Sequence, residues 1–122
     1  MSTTYSSDAD ILAVEPSAAS YLPTGETTFD RLREQVYADI NRRVAASGRL
    51  YRHDVSTAEA KHAEVCGVLA VLYREAASRT SDSGTFWALY CHWHANYRNA
   101  VQALHDENGQ PVAFLGTRAI RG

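Results

Sequence analysis

The residues of this chain best suited to chemistry lie in two clusters. One is the run Tyr90-Cys91-His92-Trp93-His94, and the other is the pair His62 and Cys66. His62 and Cys66 are four apart, and Cys91 and His94 three apart. Either spacing puts both side chains of a pair on one face of a helix. Two such pairs on facing helices would make a Cys2His2 zinc site. Neither pair has zinc-finger spacing, however. The helical pattern around them also turns Cys91 and His92 outward from the last helix while His62 lies on the inner stripe of the central one. A histidine beside a tryptophan on a half-buried helix is then a hydrogen-bonded packing residue, and no metal is expected. Nucleophilic catalysis needs a base near a presented Ser or Cys. Here the serines fall in caps and loops, and both cysteines fall mid-helix. His53-Asp54 is a loop pair, and Asp106-Glu107-Asn108-Gly109 lacks the alternating oxygens of a calcium loop. No glycine-rich phosphate loop occurs. The expectation is a non-enzyme without catalytic residues, cofactor or metal.

The element that must organise the rest is Val65 to Tyr73, nine residues without a charge. It lies within Thr57 to Arg79, a proline-free segment that reads as helix. Ala58, His62, Val65, Leu69, Leu72 and Ala76 recur at steps of four and three and form one stripe. Val68, Val71 and Tyr73 lie off the stripe and are apolar as well. A helix apolar nearly all round belongs at the centre of its domain or between a core and a partner. Nine residues are too few to span a bilayer.

Around this centre the pattern predicts an all-α small bundle: three main helices, a short N-terminal helix and an extended C-terminal arm. Residues 1–7 are Ser/Thr-rich and read as a flexible N-terminus. Ser7 or Asp8 caps a short helix through Val14, ended by Pro16. Ser17 to Leu22 adds a further turn. Phe29, Leu32, Val36, Ile40 and Val44 mark the apolar face of a helix from Phe29 to about Ala46, stopped at Ser47-Gly48. Ser56-Thr57-Ala58-Glu59 is a capping box for the central helix. Ser81-Asp82-Ser83-Gly84 is a turn. Phe86, Tyr90, Trp93, Tyr97, Ala100 and Leu104 form the seam of a last helix over Thr85 to His105. Asn108-Gly109 and Pro111 end it. The bundle thus occupies residues 8–109 of a single domain, and residues 110–122 form the arm.

Composition agrees with one ordinary globular domain. The chain has 122 residues, 45% hydrophobic and 21% charged, with a net charge of −2. That balance gives no general pull toward nucleic acid or membrane. Two cysteines among apolar or aromatic neighbours read as reduced thiols of a chain made and kept in cytoplasm, or in something assembled there. No basic stretch precedes an apolar run at the N-terminus, so no secretory signal is read. Charge is unevenly spread. Residues 1–30 carry Asp8, Asp10, Glu15, Glu26 and Asp30 and no Lys or Arg, while residues 31–52 carry six Arg against Glu34 and Asp39. Arg42-Arg43, with Arg49 and Arg52, is too mixed with acids for a convincing DNA-reading helix. A protein–protein edge fits better, with the acidic first thirty residues as its complement.

The order of elements resembles the head–tail connector proteins of tailed bacteriophages, the adaptor or head-completion proteins. The resemblance is carried by the acidic short helix Asp8-Ala9-Asp10-Ile11-Leu12 before Glu15-Pro16, and by a helix ending in Ser47-Gly48. It continues through a central apolar helix passing into Tyr73-Arg74-Glu75-Ala76-Ala77 and a long Tyr-rich helix. The Asp106-Glu107-Asn108-Gly109 turn and the arginine-bearing tail complete it. It implies a structural virion protein, made in the bacterial cytoplasm, that forms a homo-oligomeric ring, usually of twelve copies. Its partners would be the phage portal protein and a downstream tail or stopper protein, with DNA passing through the ring without sequence-specific binding and no membrane contact. The expected interface residues are Asp8, Asp10, Glu15, Arg31, Arg42, Arg43 and Arg49, with Phe114, Leu115, Arg118, Ile120 and Arg121 from the arm. The alternative from another class is a small helical DNA-binding regulator.

Overall fold

The computed structural model describes residues 4–46, 57–81 and 83–104. Among these residues the regular structure is four α-helices and one 3-10 turn: α1 (Asp8–Val14), the turn Ala18–Tyr21, α2 (Asp30–Ala46), α3 (Thr57–Arg79) and α4 (Ser83–Gln102). The fold is an all-α bundle built around α3. The cap at Ser56, the turn at Asn108-Gly109 and the whole of residues 110–122 lie outside the described residues.

Helix α3 is central in the literal sense. Ala63, Val65, Cys66, Val68, Leu69, Leu72 and Tyr73 are all buried, and these positions run round the whole helix. From α2 come Leu32, Val36 and Ile40, with Phe29 just ahead of its first residue, all buried and spaced as the apolar pattern requires. From α4 come Tyr97 and Val101, with Leu104 just past its end, also buried. Ile11 of α1 and Ala18 of the 3-10 turn close one end. That end is stitched by three rings. Tyr21 and Tyr73 are 5.6 Å apart, Tyr21 and Phe86 5.2 Å, and Tyr73 stacks on Phe86 at 6.1 Å. Such pairs contribute about 0.5–1.5 kcal/mol beyond the area they bury.

The helix ends have local causes. Ser7 and Asp10 make a reciprocal capping box that starts α1. Pro23 to Glu26 turns back through Gly25, whose φ of +95° suits glycine, and the Glu26 N–H donates to the Pro23 carbonyl at 3.0 Å. α4 begins two residues before the expected start. Ser83 and Gly84 lie in its first turn, where a Cβ at Gly84 would meet nothing within 4 Å. It also stops earlier than His105. The Ala103 N–H is shared between the carbonyls of Asn99 and Ala100, and the Leu104 N–H donates to Val101, so the last turn tightens.

Two features depart from the sequence reading. Ala58 and His62, placed on the inner stripe of α3, are exposed, while Ala60 and Glu64 are buried instead. The second feature is residues 4–7, read as a flexible terminus: Tyr5 and Ser6 bond Glu64 of α3 and lie against that side of the helix.

Candidate functional site

The buried carboxylate of Glu64, 0% exposed, is the least expected group in the molecule. It accepts the Ser6 N–H at 2.8 Å, the Tyr5 N–H at 3.2 Å and the Ser6 hydroxyl. A buried carboxylate without partners would be strongly destabilising; here three donors satisfy it. Burial still dominates and pushes its pKa above the ordinary glutamate range, against the pull of the Ser6 and Tyr5 hydrogen bonds. Arg33 closes the same segment from α2. It donates to the Ser6 carbonyl at 2.8 Å, to the Thr4 hydroxyl at 2.6 Å and to Asp8 at 3.1 Å, and it also bonds Asp30. The Tyr5 hydroxyl donates to Asn41 at 2.6 Å, and its ring packs on Tyr37 at 4.9 Å. Residues 4–6 are therefore clamped between α2 and α3.

The expected interface charges are engaged inside the chain. Asp8 pairs with Arg33 and accepts the Phe29 N–H at the start of α2, at 3.3 Å. Asp10 completes the α1 cap and lies 3.8 Å from Lys61. The backbone N–H of Ser7 is the main cause holding its carboxyl below the usual range. Glu15 accepts the Tyr73 hydroxyl at 2.7 Å. Arg31 spans Glu26 and Glu75, both at 2.9 Å. Arg42 and Arg43 both pair with Asp39. Asp8, Glu26 and Asp30 of the acidic segment thus pair with Arg31 and Arg33 within one copy. Arg49, Phe114, Leu115, Arg118, Ile120 and Arg121 lie outside the described residues.

The cysteine and histidine pairs stay apart. Cys66 Sγ is 3.8 Å from His62 Nε2 on α3, and burial pushes the thiol up to about 11. Cys91 is exposed on α4, and His92 is held by Asn96 at 3.1 Å. Among the described residues no three His, Cys, Asp or Glu side chains gather as metal ligands. Among them, too, no helix is long and apolar enough to cross a membrane.

What the structure brings together instead is a groove between α2 and α4, floored by α3, of about 310 Å³. At its closed end Val36 and Tyr97 converge over Gly67. Tyr97 donates to Asp39 at 2.5 Å. Burial opposes ionisation of Asp39, but Tyr97 and Arg43 outweigh it and hold its carboxyl below the usual range. Toward its open end lie Arg74, Tyr90 and His94. Trp87, Tyr90 and His94 form a ladder along α4, with rings 4.9 Å and 5.3 Å apart, and Trp87 is 53% exposed at its head. The seam pattern had identified Tyr90 and Tyr97. Arg74, Glu64 and Arg33 were missed, because charged residues inside an apolar period read as solvent-facing. Comparison of the chain with protein-family models, curated proteins and solved structures finds no match.

Proposed function

We propose that this chain is a non-catalytic building block, the subunit of a ring that joins a phage portal to its tail in the virion. The observation that supports it is the α4 ladder. A tryptophan 53% exposed, packed at a tilt against a tyrosine that lines a basic groove, is large apolar surface placed on a helix. Aromatic side chains so placed are typical anchors of protein interfaces. The buried clamp on residues 4–6 and the dense α3 core give the subunit a stiff body, which a repeated head-to-tail contact requires. Because Asp8, Glu15 and Arg31 are bound within the chain, the ring contact rests on the α4 face and not on those charges.

Sedimentation of the full chain, alone and mixed with portal rings, tests this. The expected result is a closed oligomer, or uptake onto the portal, that Trp87→Glu abolishes while helical content and melting are kept. Deleting residues 111–122, the expected docking arm, should likewise spare melting and weaken portal uptake. A chain that stays monomeric and ignores the portal overturns the proposal. Salt-sensitive, sequence-selective DNA binding would establish the regulator reading in its place.

A further inference from the structure

Three arginines, Arg42, Arg43 and Arg74, line the groove between α2 and α4 against one acid, Asp39. Asp39 is already saturated by Arg42, Arg43 and the Tyr97 hydroxyl. Arg74 is different. It is exposed on α3 and has no hydrogen-bond or ion-pair partner among the described residues. Opposite it, His94 is half-buried, its ring laid on Tyr90. Its charged neighbours are Arg98, Arg43 and Arg74, all of one sign. Burial and those three guanidinium groups hold its pKa below the ordinary histidine range. With Asp39 taken up by Arg42 and Arg43, the Arg74 guanidinium stands at the hollow without a carboxylate of its own, and an anion would supply the counter-charge. The planar fork of arginine is also the side chain best matched to phosphate and carboxylate.

Arg74 belongs to a second hollow as well, of about 420 Å³, lined by Ala77, Ser78, Gly84 and Trp87. Arg74 lines both hollows, and the Trp87–Tyr90–His94 ladder runs from the apolar one to the charged one. We propose that the groove binds an oxyanion, a phosphate or carboxylate group, between Arg74 and His94, with the apolar part of the same ligand lying against Trp87. This names the chemistry that the α4 face recognises. It shares that face with the ring reading, but its test uses the chain alone, so either can fail without the other. The oxyanion has two sources, a free small molecule or an acidic side chain of a neighbouring copy.

The test follows the His94 ring resonances by NMR while the full chain is titrated with phenyl phosphate and, separately, with inorganic phosphate. Both should give saturable shifts, and phenyl phosphate should bind at least about tenfold more tightly because of Trp87. Arg74→Gln should weaken both by about tenfold or more. Trp87→Ala should remove the advantage of the phenyl group and leave inorganic phosphate unchanged. Lys61→Gln, which deletes a positive charge outside the groove, should change neither. Sedimentation of the same samples assigns the source. A fall in mass on adding phenyl phosphate gives the seat to a neighbouring copy's carboxylate, and binding at constant mass gives it to a free ligand. Unsaturable shifts, or an affinity untouched by Arg74→Gln in a chain of wild-type helicity, would overturn the proposal.

Discussion

Gly67→Ala sets two opposed effects against each other at one atom. Replacing a mid-helix glycine with alanine favours the helix by about 1 kcal/mol. In this position the added methyl would stand 2.6 Å from Val36 Cγ1 and 2.9 Å from two carbons of the Tyr97 ring. Neither neighbour can give way easily. Val36 is β-branched within a helix and has one favoured rotamer. The Tyr97 ring is pinned by its hydroxyl, which donates to Asp39 at 2.5 Å. Overpacking of this kind costs typically about 1–3 kcal/mol and occasionally more, and a 2.6 Å approach belongs at the upper end. The net expectation is a loss of about 1–2 kcal/mol, or roughly 3–8 °C in melting temperature for a domain of this size. Urea and thermal unfolding measure it. The double variant Gly67→Ala with Val36→Ala supplies the control. The new methyl should occupy part of the space left by valine, so the pair should be less damaging than the sum of its parts by at least about 0.5 kcal/mol. A Gly67→Ala chain that melts at or above the wild type would refute the close approach of α2 and α4 over α3.

Two further outcomes follow from the same core. Glu64 has its pKa raised in the fold, so between its ordinary value of 4.5 and that raised value the folded state holds a proton that the unfolded state has released; stability from this group is therefore fully present below 4.5 and declines as pH rises through the window. The wild type should consequently outlast Glu64→Gln by most near pH 4, and the gap should narrow at higher pH; a gap that widens with pH contradicts the burial of this carboxyl. The two cysteines should separate by reactivity, Cys91 labelling quickly in the native state and Cys66, buried with its thiol pushed up to about 11, labelling only in denaturant; equal native rates would place Cys66 at the surface.

Much of the bundle was legible in the order of side chains, for a physical reason. Phe29, Leu32, Val36 and Ile40 recur at the helical period, and all four are buried. The chargeless run of α3 announced a helix covered on all sides, and it is so covered. What stayed hidden were polar contacts between residues far apart in the chain. Glu64 and Ser6 are separated by 58 positions and Asp8 and Arg33 by 25. No periodicity links such residues. A glutamate set among Ala60, Ala63 and Val68 is the one local sign that a charge was held inside. The excess of acids before residue 31 and of arginines after it was visible. Whether such charges close within a chain or between chains is decided by packing, and here Asp8–Arg33 and Glu26–Arg31 close within it. The groove was likewise beyond reach, because its walls come from three helices whose packing no single periodicity encodes.

The clamp on Tyr5 and Ser6 sets the order in which the molecule can be completed during synthesis. Tyr5 and Ser6 leave the ribosome before either of their anchors, Arg33 and Glu64. Until α3 has formed, the amides of Tyr5 and Ser6 have only water to bond. A segment made before its anchors is thus among the last to find its place, and a change at Tyr5 or Ser6 acts at that final step, on helices already built.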